Sequence, residues 1–184
     1  RKTAKLFEVD YLPEEDIVYW LNNLEKESNI KDYTLSESQI EYVWDHFGGS
    51  IWEITSLLGD FLKGCRDGKV AGGEMERIVE RHMLQARSYF AEYAGLDASR
   101  TELLREINKH VQSKGYVKEL FLGRILDQGF YADRKGLLEE LNHLVRSNYL
   151  YYNPTLAEYK LQGRSMEIGL NRYVRELALH EKNG

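Results

Sequence analysis

The sequence has one cysteine and two prolines among its 184 residues. A single cysteine, Cys65, excludes an internal disulfide and any zinc site built from several cysteines. No run of about 20 apolar residues could form a transmembrane helix, and no stretch resembles a secretory leader. With 42% apolar and 30% charged residues, the composition is typical of a globular protein. We therefore expect a soluble, cytoplasmic protein that does not contact a membrane.

The motifs of common catalytic sites are also missing. The sequence holds no phosphate-binding loop of the form G-x-x-x-x-G-K-[ST] and no H-E-x-x-H metal motif. The histidines are scattered over different predicted helices, without the spacing of a metal site. The acidic run Glu14-Glu15-Asp16 falls in the first turn of a predicted helix, where carboxylates stabilise the helix dipole. The chain is not expected to carry a complete catalytic or metal site.

Charge is divided unevenly along the chain. Residues 97–184 contain 14 lysines and arginines and 12 acidic residues, a net charge of +2, whereas residues 1–96 have a net charge of −7. This asymmetry predicts two domains with different surroundings. We place the boundary at Gly95-Leu96-Asp97, which gives domains of residues 1–96 and 97–184.

The opening segment Lys5–Val9 has the composition of a short strand. A strand needs a neighbour to satisfy its backbone groups, and the next predicted strand lies more than a hundred residues later. We expect the partner sheet to lie upstream of Arg1. Pairing with the distant hairpin, or a trimmed N-terminus, are the alternatives.

Helical periodicity covers most of the rest of residues 1–96. Four helices are predicted, beginning after Pro13, after Ser36, after Ser50 and at about Glu74. Ser36 and Ser50 are each followed three residues later by a glutamine or glutamate, the pattern of a capping box. A loop with several glycines around Cys65 separates the third and fourth helices.

The turn Gly48-Gly49-Ser50 lies between the second and third of these helices. It places a tight turn beside a helix N-terminus, whose backbone N–H groups attract anions, including phosphates. A plain helix–helix turn explains the same residues. Spacing alone leaves both interpretations open.

Residues 97–184 have the pattern of a winged helix. Three helices are predicted, one capped by Ser99 with Glu102, one running from Val117 to Leu126, and one capped by Asp133. Two strands follow, Tyr149–Tyr152 and Glu158–Leu161, around an Asn153-Pro154 turn. A final helix covers the core. The predicted fold class is mainly α: a helical bundle, then a winged-helix domain of three helices and a β-hairpin with an extra C-terminal helix.

The order of these parts resembles one family. Tyr11-Leu12-Pro13-Glu14-Glu15 after a strand, then a helix ending in Phe47-Gly48-Gly49-Ser50, is similar to the end of the core and the helical lid of prokaryotic (archaeal-type) AAA+/STAND ATPases. That family has the sequence Gly-Gly-x-Pro at this turn. Its proline would fall at or next to Ile51, where this chain has Ser50-Ile51 instead. Glu158-Tyr159-Lys160-Leu161, leading into a helix through Tyr173, is similar to the family's C-terminal winged helix.

The resemblance implies a function for each part. The lid would close over ATP and Mg held by an upstream core, since the family's phosphate loop and magnesium-binding acid would precede Arg1. Gly48, Gly49 and Ser50 would form the lid turn next to the nucleotide, with a hinge near Tyr11-Leu12. The winged helix would be a regulatory arm that binds a partner according to nucleotide state. This chain alone is not expected to hydrolyse ATP.

DNA binding by the winged helix is the main alternative, because winged helices often bind DNA. Nucleic-acid binders need clustered cations to neutralise phosphates, and a net charge of +2 supplies few. We expect a small basic patch of Arg134, Lys135, Lys160 and Arg164. The predicted recognition helix, which holds Arg134 and Lys135, also has the carboxylates Asp133, Glu139 and Glu140. We expect a protein partner, or other domains of the parent chain. A protein-binding module without an ATPase parent and a self-contained enzyme are the remaining hypotheses.

Overall fold

The computed structural model describes residues 11–28, 30, 34–64 and 72–183. Within these residues the chain is mainly helical with one two-stranded antiparallel sheet, so the predicted mainly-α class is confirmed. The elements are α1 (Glu14–Asn22), α2 (Leu24–Ser28), α3 (Glu37–Phe47), α4 (Ile51–Gly64), α5 (Gly72–Ala94), α6 (Ala98–Lys114), a 3-10 helix (Glu119–Leu122), α7 (Gly123–Asp127), α8 (Arg134–Arg146), β1 (Leu150–Asn153), β2 (Glu158–Leu161) and α9 (Arg164–Asn183). The predicted strand at residues 5–9 and the loop around Cys65 lie outside the described residues.

The chain divides into two compact units, Arg1–Val79 and Glu80–Gly184. The predicted boundary at residues 96 and 97 coincides with the end of α5, whereas the division between the units falls inside that helix. The physical reason is that Ala86, Phe90 and Tyr93, in the C-terminal part of α5, pack in the hydrophobic core of the second unit. A helix break in the sequence therefore does not mark the division between cores.

Local capping signals set the helices of the first unit. Pro13 precedes α1, and three acidic residues occupy its first turn, as predicted. Ser36 and Gln39 form the predicted capping box: the Gln39 N–H donates to Ser36 Oγ at 3.3 Å, and the Ser36 N–H donates to Gln39 Oε1 at 2.9 Å. Among the described residues of this unit, the buried apolar side chains are Ile17, Leu21, Leu24, Ile40, Val43, Phe47, Ile54, Leu57, Leu58, Phe61, Met75, Ile78 and Val79.

The start of α6 corrects one prediction. Asp97, not Ser99, caps the helix, because its carboxylate accepts the backbone N–H groups of Ser99 at 2.8 Å and Arg100 at 3.2 Å. A carboxylate one residue before the helix satisfies two otherwise unpaired amides and adds negative charge at the positive end of the dipole. Glu102 instead lies 3.2 Å from Arg105. Gly115, with φ of +78°, ends α6 as predicted.

The helix predicted from Val117 to Leu126 is wrong in its first half. Val117 is extended and bridges Tyr159, each residue donating its N–H to the other's carbonyl at 2.8 Å. The chain then makes the 3-10 helix before the short α7. A partner far away in the sequence therefore overrides the local helical spacing of Val117.

The hairpin follows the prediction. In β1 and β2, Leu150 lies opposite Leu161 and Asn153 lies opposite Glu158. The Asn153 side chain accepts the N–H groups of Thr155 and Leu156 at 3.0 and 3.1 Å, which is the usual way asparagine shapes a turn. The sequence therefore locates both strands and their turn.

Helix α9 closes the core of the second unit against α5. At Gly169, an added Cβ atom would lie 2.7 Å from the backbone carbonyl carbon of Ala86. The two helix backbones thus approach as closely as a glycine allows. The buried core around them comprises Ala86, Phe90, Tyr93, Ala94, Leu103, Leu104, Ile107, Val111, Val117, Leu122, Ile125, Leu137, Leu141, Leu144, Leu150, Tyr159, Leu161, Met166, Leu170 and Tyr173.

Candidate functional site

The turn Gly48-Gly49-Ser50 joins α3 to α4, as predicted. Gly48 has φ of +54°, in the left-handed region that favours glycine. Its N–H donates to Trp44 O at 2.7 Å, which closes the end of α3. The hydroxyl of the buried Ser50 accepts the N–H of Glu53 at 3.5 Å at the start of α4. Local hydrogen bonds therefore determine the shape of this turn.

The middle residue of the turn contacts the segment that leads into α1. The Leu12 N–H donates to Gly49 O at 3.1 Å. A Cβ atom at Gly49 would lie 2.0 Å from Leu12 O and 2.7 Å from Leu12 N. Only glycine allows this approach of the two backbones. The contact explains the glycine at position 49 by packing within the first unit.

The first turn of α4 also presents apolar side chains to solvent. Trp52 is 81% exposed and Ile51 is 43% exposed. The amides of a first helical turn have no intrahelical partner and favour anions. Glu53 places a carboxylate in the same turn, so a phosphate bound there would need positive charge from elsewhere.

The structure places the four cations of the predicted basic patch on three elements. Arg134 and Lys135 lie in the first turn of α8, Lys160 on β2 and Arg164 in the first turn of α9. The sequence predicted the positions of Arg134 and Lys135 at the start of a helix and of Lys160 on the strand after the hairpin turn. Their availability to a ligand depends on the carboxylates around them.

Carboxylates engage three of these cations. The Nε and Nη2 atoms of Arg134 each donate a hydrogen bond to the Glu119 carboxylate. This ion pair raises the pKa of the Arg134 guanidinium. Lys135 lies 3.8 Å from Glu139, and Arg164 lies 2.9 Å from Glu167. Lys160 is exposed and has no ion pair within the described part of the chain. The patch therefore offers little uncompensated positive charge.

A polar cluster on α8 was missed by the sequence analysis. Glu140 accepts a hydrogen bond from the Tyr93 hydroxyl and one from the Arg100 guanidinium at 3.1 Å. The Arg100 guanidinium also lies 5.1 Å from the centre of the Tyr93 ring, and the His143 ring stacks on the same Tyr93 ring with 5.9 Å between the ring centres. Glu140 is therefore a structural residue that ties α8 to α5 and α6. Its partners are 40 and 47 residues away, so spacing gave no signal.

The described residues hold no further recognisable centre. Within them, no group of three histidine, cysteine, aspartate or glutamate side chains is arranged to bind a metal. No helix in the described ranges has the length and apolar character needed to cross a membrane. Comparison with family models, curated proteins and solved structures finds no match. Functional inference for this chain therefore rests on its own residues.

The cluster around Glu140 predicts sensitivity to alkaline pH. Burial, then the nearby Glu140 carboxylate, raises the pKa of Tyr93, and the same causes raise the pKa of Tyr131. Both groups lose a proton near pH 10 when the chain is unfolded. Their stabilising contribution is therefore complete below about pH 10 and is lost as the pH rises further.

The variant Tyr93→Phe should reduce this loss. We expect it to lower the free energy of unfolding by about 1–2 kcal/mol at pH 7, because a hydrogen bond to a carboxylate is removed. Above about pH 10 the stability should fall less steeply, by up to about 1.4 kcal/mol per pH unit. Urea unfolding followed by circular dichroism from pH 7 to pH 11 measures both effects. Tyr152→Phe is the control, and equal alkaline slopes for Tyr93→Phe and the unmodified chain would contradict the prediction.

Proposed function

We propose that this chain is the helical lid and winged-helix region of an AAA+-type ATPase, and that it couples the nucleotide state of an upstream core to binding of a protein partner. The observation that carries the proposal is the contact between Leu12 and Gly49. These residues belong to the two short segments on which the family resemblance rests. Because the segments are in contact, a displacement of the chain at Leu12 would also displace the turn before α4.

The winged-helix part of the proposal has its own support. In the second unit α6, α7 and α8 precede the hairpin, which is the order of helices and wing in that domain class. The extended residue Val117 pairs with Tyr159 beside the hairpin and adds a third short strand position. A helix, a short strand, two helices and a hairpin form the pattern that we interpret as a winged helix.

The nucleotide would be held mainly by the proposed core. ATP and Mg need a phosphate loop and a magnesium-binding acid, and in the proposal both are supplied upstream. Amides in the first turn of α4, next to the lid turn, suit an anion. With Glu53 in the same turn, they fit an auxiliary contact to a phosphate whose charge is neutralised by the core.

A protein partner fits the second unit better than DNA. Three of the four candidate cations are paired with carboxylates, and an ion pair must be broken before such a cation can neutralise a phosphate. Non-specific DNA affinity comes mostly from phosphate neutralisation. Lys160, which is exposed and has no ion pair among the described residues, favours DNA, but a single cation contributes little.

The gene sequence upstream of the codon for Arg1 tests the ATPase parent. We expect it to encode a G-x-x-x-x-G-K-[ST] loop and a later strand ending in acidic residues, within roughly one domain length. The full-length protein should then bind ATP in the presence of Mg. A start codon directly before Arg1 would contradict the proposal and leave a helical protein-binding module.

A further inference from the structure

One face of the second unit combines exposed cations, two aromatic rings and a protruding leucine. It is formed by residues from the end of α6, the 3-10 helix and α7, and we call it the Leu120 surface. Its members are Lys114, Tyr116, Lys118, Leu120, Phe121 and Arg124.

Direct contacts join four of these residues, two lysines and two aromatic rings. The Lys114 ammonium lies 3.7 Å from the centre of the Phe121 ring, and the Lys118 ammonium lies 5.6 Å from that of Tyr116. The rings of Tyr116 and Phe121 lie 6.2 Å apart. A cation held over an aromatic face keeps its charge while its carbon chain covers the ring. The cations are thereby fixed at the edge of an apolar area.

Two of the carboxylates near this surface are much less exposed than the cations that they pair with. Arg124 lies 3.2 Å from Glu106, and Lys118 lies 3.3 Å from Glu158. The side chains of Glu106 and Glu158 are each 10% exposed, compared with 61% for Arg124 and 37% for Lys118. Solvent therefore meets the positive ends of these pairs, and a ligand approaching this surface meets positive charge first.

Leu120 lies on the same 3-10 helix as Phe121 and is 87% exposed. Its neighbour Leu122 is fully buried, and the Phe121 N–H donates to Lys118 O at 2.9 Å, which fixes the short helix. Glu119 is tied to α8 by its ion pair with Arg134. The leucine therefore stands on an ordered backbone and adds apolar area next to the Phe121 ring and the neighbouring cations.

We propose that the Leu120 surface is a docking site for an acidic peptide segment that carries an apolar side chain. Carboxylates of the peptide would meet Lys114, Lys118 and Arg124, and its apolar residue would cover Leu120 and the Phe121 ring. Such an arrangement places an apolar anchor inside a polar rim, as in protein interfaces. A nucleic acid would leave the apolar Leu120 side chain against charged phosphates. The inference rests on the proposed function only in that the second unit binds a protein partner.

Selection from a phage-displayed library of random short peptides on the full chain tests this site. We expect enrichment of peptides that combine aspartate or glutamate with a leucine or an aromatic residue. Leu120→Asp should weaken binding of the selected peptides at least about tenfold. Lys114→Glu should slow their association and reduce its dependence on salt. Both changed side chains are exposed, and Lys114→Glu alone decides the question if Leu120→Asp fails to fold.

The controls are matched in residue type and lie on α9 of the same unit. Leu179→Asp is the control for Leu120→Asp, and the Leu179 side chain is 60% exposed. Lys182→Glu is the control for Lys114→Glu. Binding unchanged within about twofold for both controls supports the site. Equal losses in the controls, or no enrichment of acidic peptides, would overturn it.

Nucleic-acid binding is measured in the same series. Fluorescence anisotropy of a labelled DNA duplex of random sequence at low salt should detect no binding at protein concentrations below about 100 μM. Tighter duplex binding that is lost in Lys114→Glu would assign the surface to nucleic acid and overturn the peptide proposal. A missing phosphate loop upstream would refute the ATPase parent without changing these peptide results, so the two failures are distinguishable.

Discussion

Replacing Gly169 by alanine is expected to lower the free energy of unfolding of the second unit by about 2 kcal/mol. The added Cβ would lie 2.7 Å from the Ala86 carbonyl carbon and 2.9 Å from the Arg87 nitrogen. These are backbone atoms of α5, which cannot move aside as a side chain can. Helices α5 and α9 must therefore separate, and the core contacts between them loosen.

The opposing effect is smaller. Alanine stabilises a helix interior by about 1 kcal/mol relative to glycine, and α9 would gain this amount at Gly169. Overpacking against a backbone costs about 1–3 kcal/mol and sometimes more, and here three atoms lie under 3.0 Å. The steric cost should therefore exceed the gain in helix propensity.

Urea unfolding followed by amide hydrogen exchange in α6 and α9 measures the effect in the second unit. Gly136→Ala is the control, because its Cβ would approach no atom closer than 3.6 Å. This control should leave stability unchanged or raise it slightly. If Gly169→Ala is as stable as Gly136→Ala, the prediction that α9 and α5 are in close backbone contact at Gly169 is refuted.

The second large effect is expected for Gly49→Ala in the first unit. A Cβ at this position would lie 2.0 Å from Leu12 O, so the Leu12 segment must move and its hydrogen bond to Gly49 must break. We expect a loss of about 2–3 kcal/mol, from one hydrogen bond of about 1 kcal/mol and the overpacking. Exchange of the Leu12 amide should become faster in the variant.

Tryptophan fluorescence reports this change selectively, because Trp20, Trp44 and Trp52 are the only tryptophans and all lie in the first unit. The control is Gly59→Ala in α4, where an added Cβ meets nothing within 4 Å. It should stabilise the first unit by about 0.5–1 kcal/mol. A Gly49→Ala chain with an unshifted fluorescence midpoint would refute the role of this glycine.

In the proposed parent ATPase, Gly49→Ala should also affect coupling. The contact at Leu12 is the proposed route between the core and α4, so the variant should still bind ATP through the core. Its partner binding should respond to ATP less than that of the unmodified protein. A full ATP response in this variant would place the coupling elsewhere.

Most of the secondary structure could be predicted because its signals are local. Ser36 and Asp133 mark helix starts through hydrogen bonds to amides three residues away, and Asn153 shapes a turn in the same way. The composition of residues 149–152 and 158–161, on either side of the Asn153-Pro154 turn, predicted the hairpin. Each signal lies within a few residues of the structure it determines.

The features that sequence analysis missed depend on distant partners. Val117 is extended because Tyr159 pairs with it, and Glu140 is engaged because Tyr93 and Arg100 reach it. The division between the units falls within α5 because of where its side chains pack. For the candidate site, the turn itself was predicted, but the contact of Gly49 with Leu12 has no signal in spacing.

The bridge between Val117 and Tyr159 has a kinetic consequence. Hairpin β1–β2 can form within about microseconds, because its strands are neighbours in the sequence. We expect Val117 to join later than the hairpin forms, because closing that long loop costs entropy before its two hydrogen bonds form. The same bridge fixes the chain just before Leu120. A chain that is still folding would therefore not present the Leu120 surface, and a partner that binds there would select molecules whose second unit is complete.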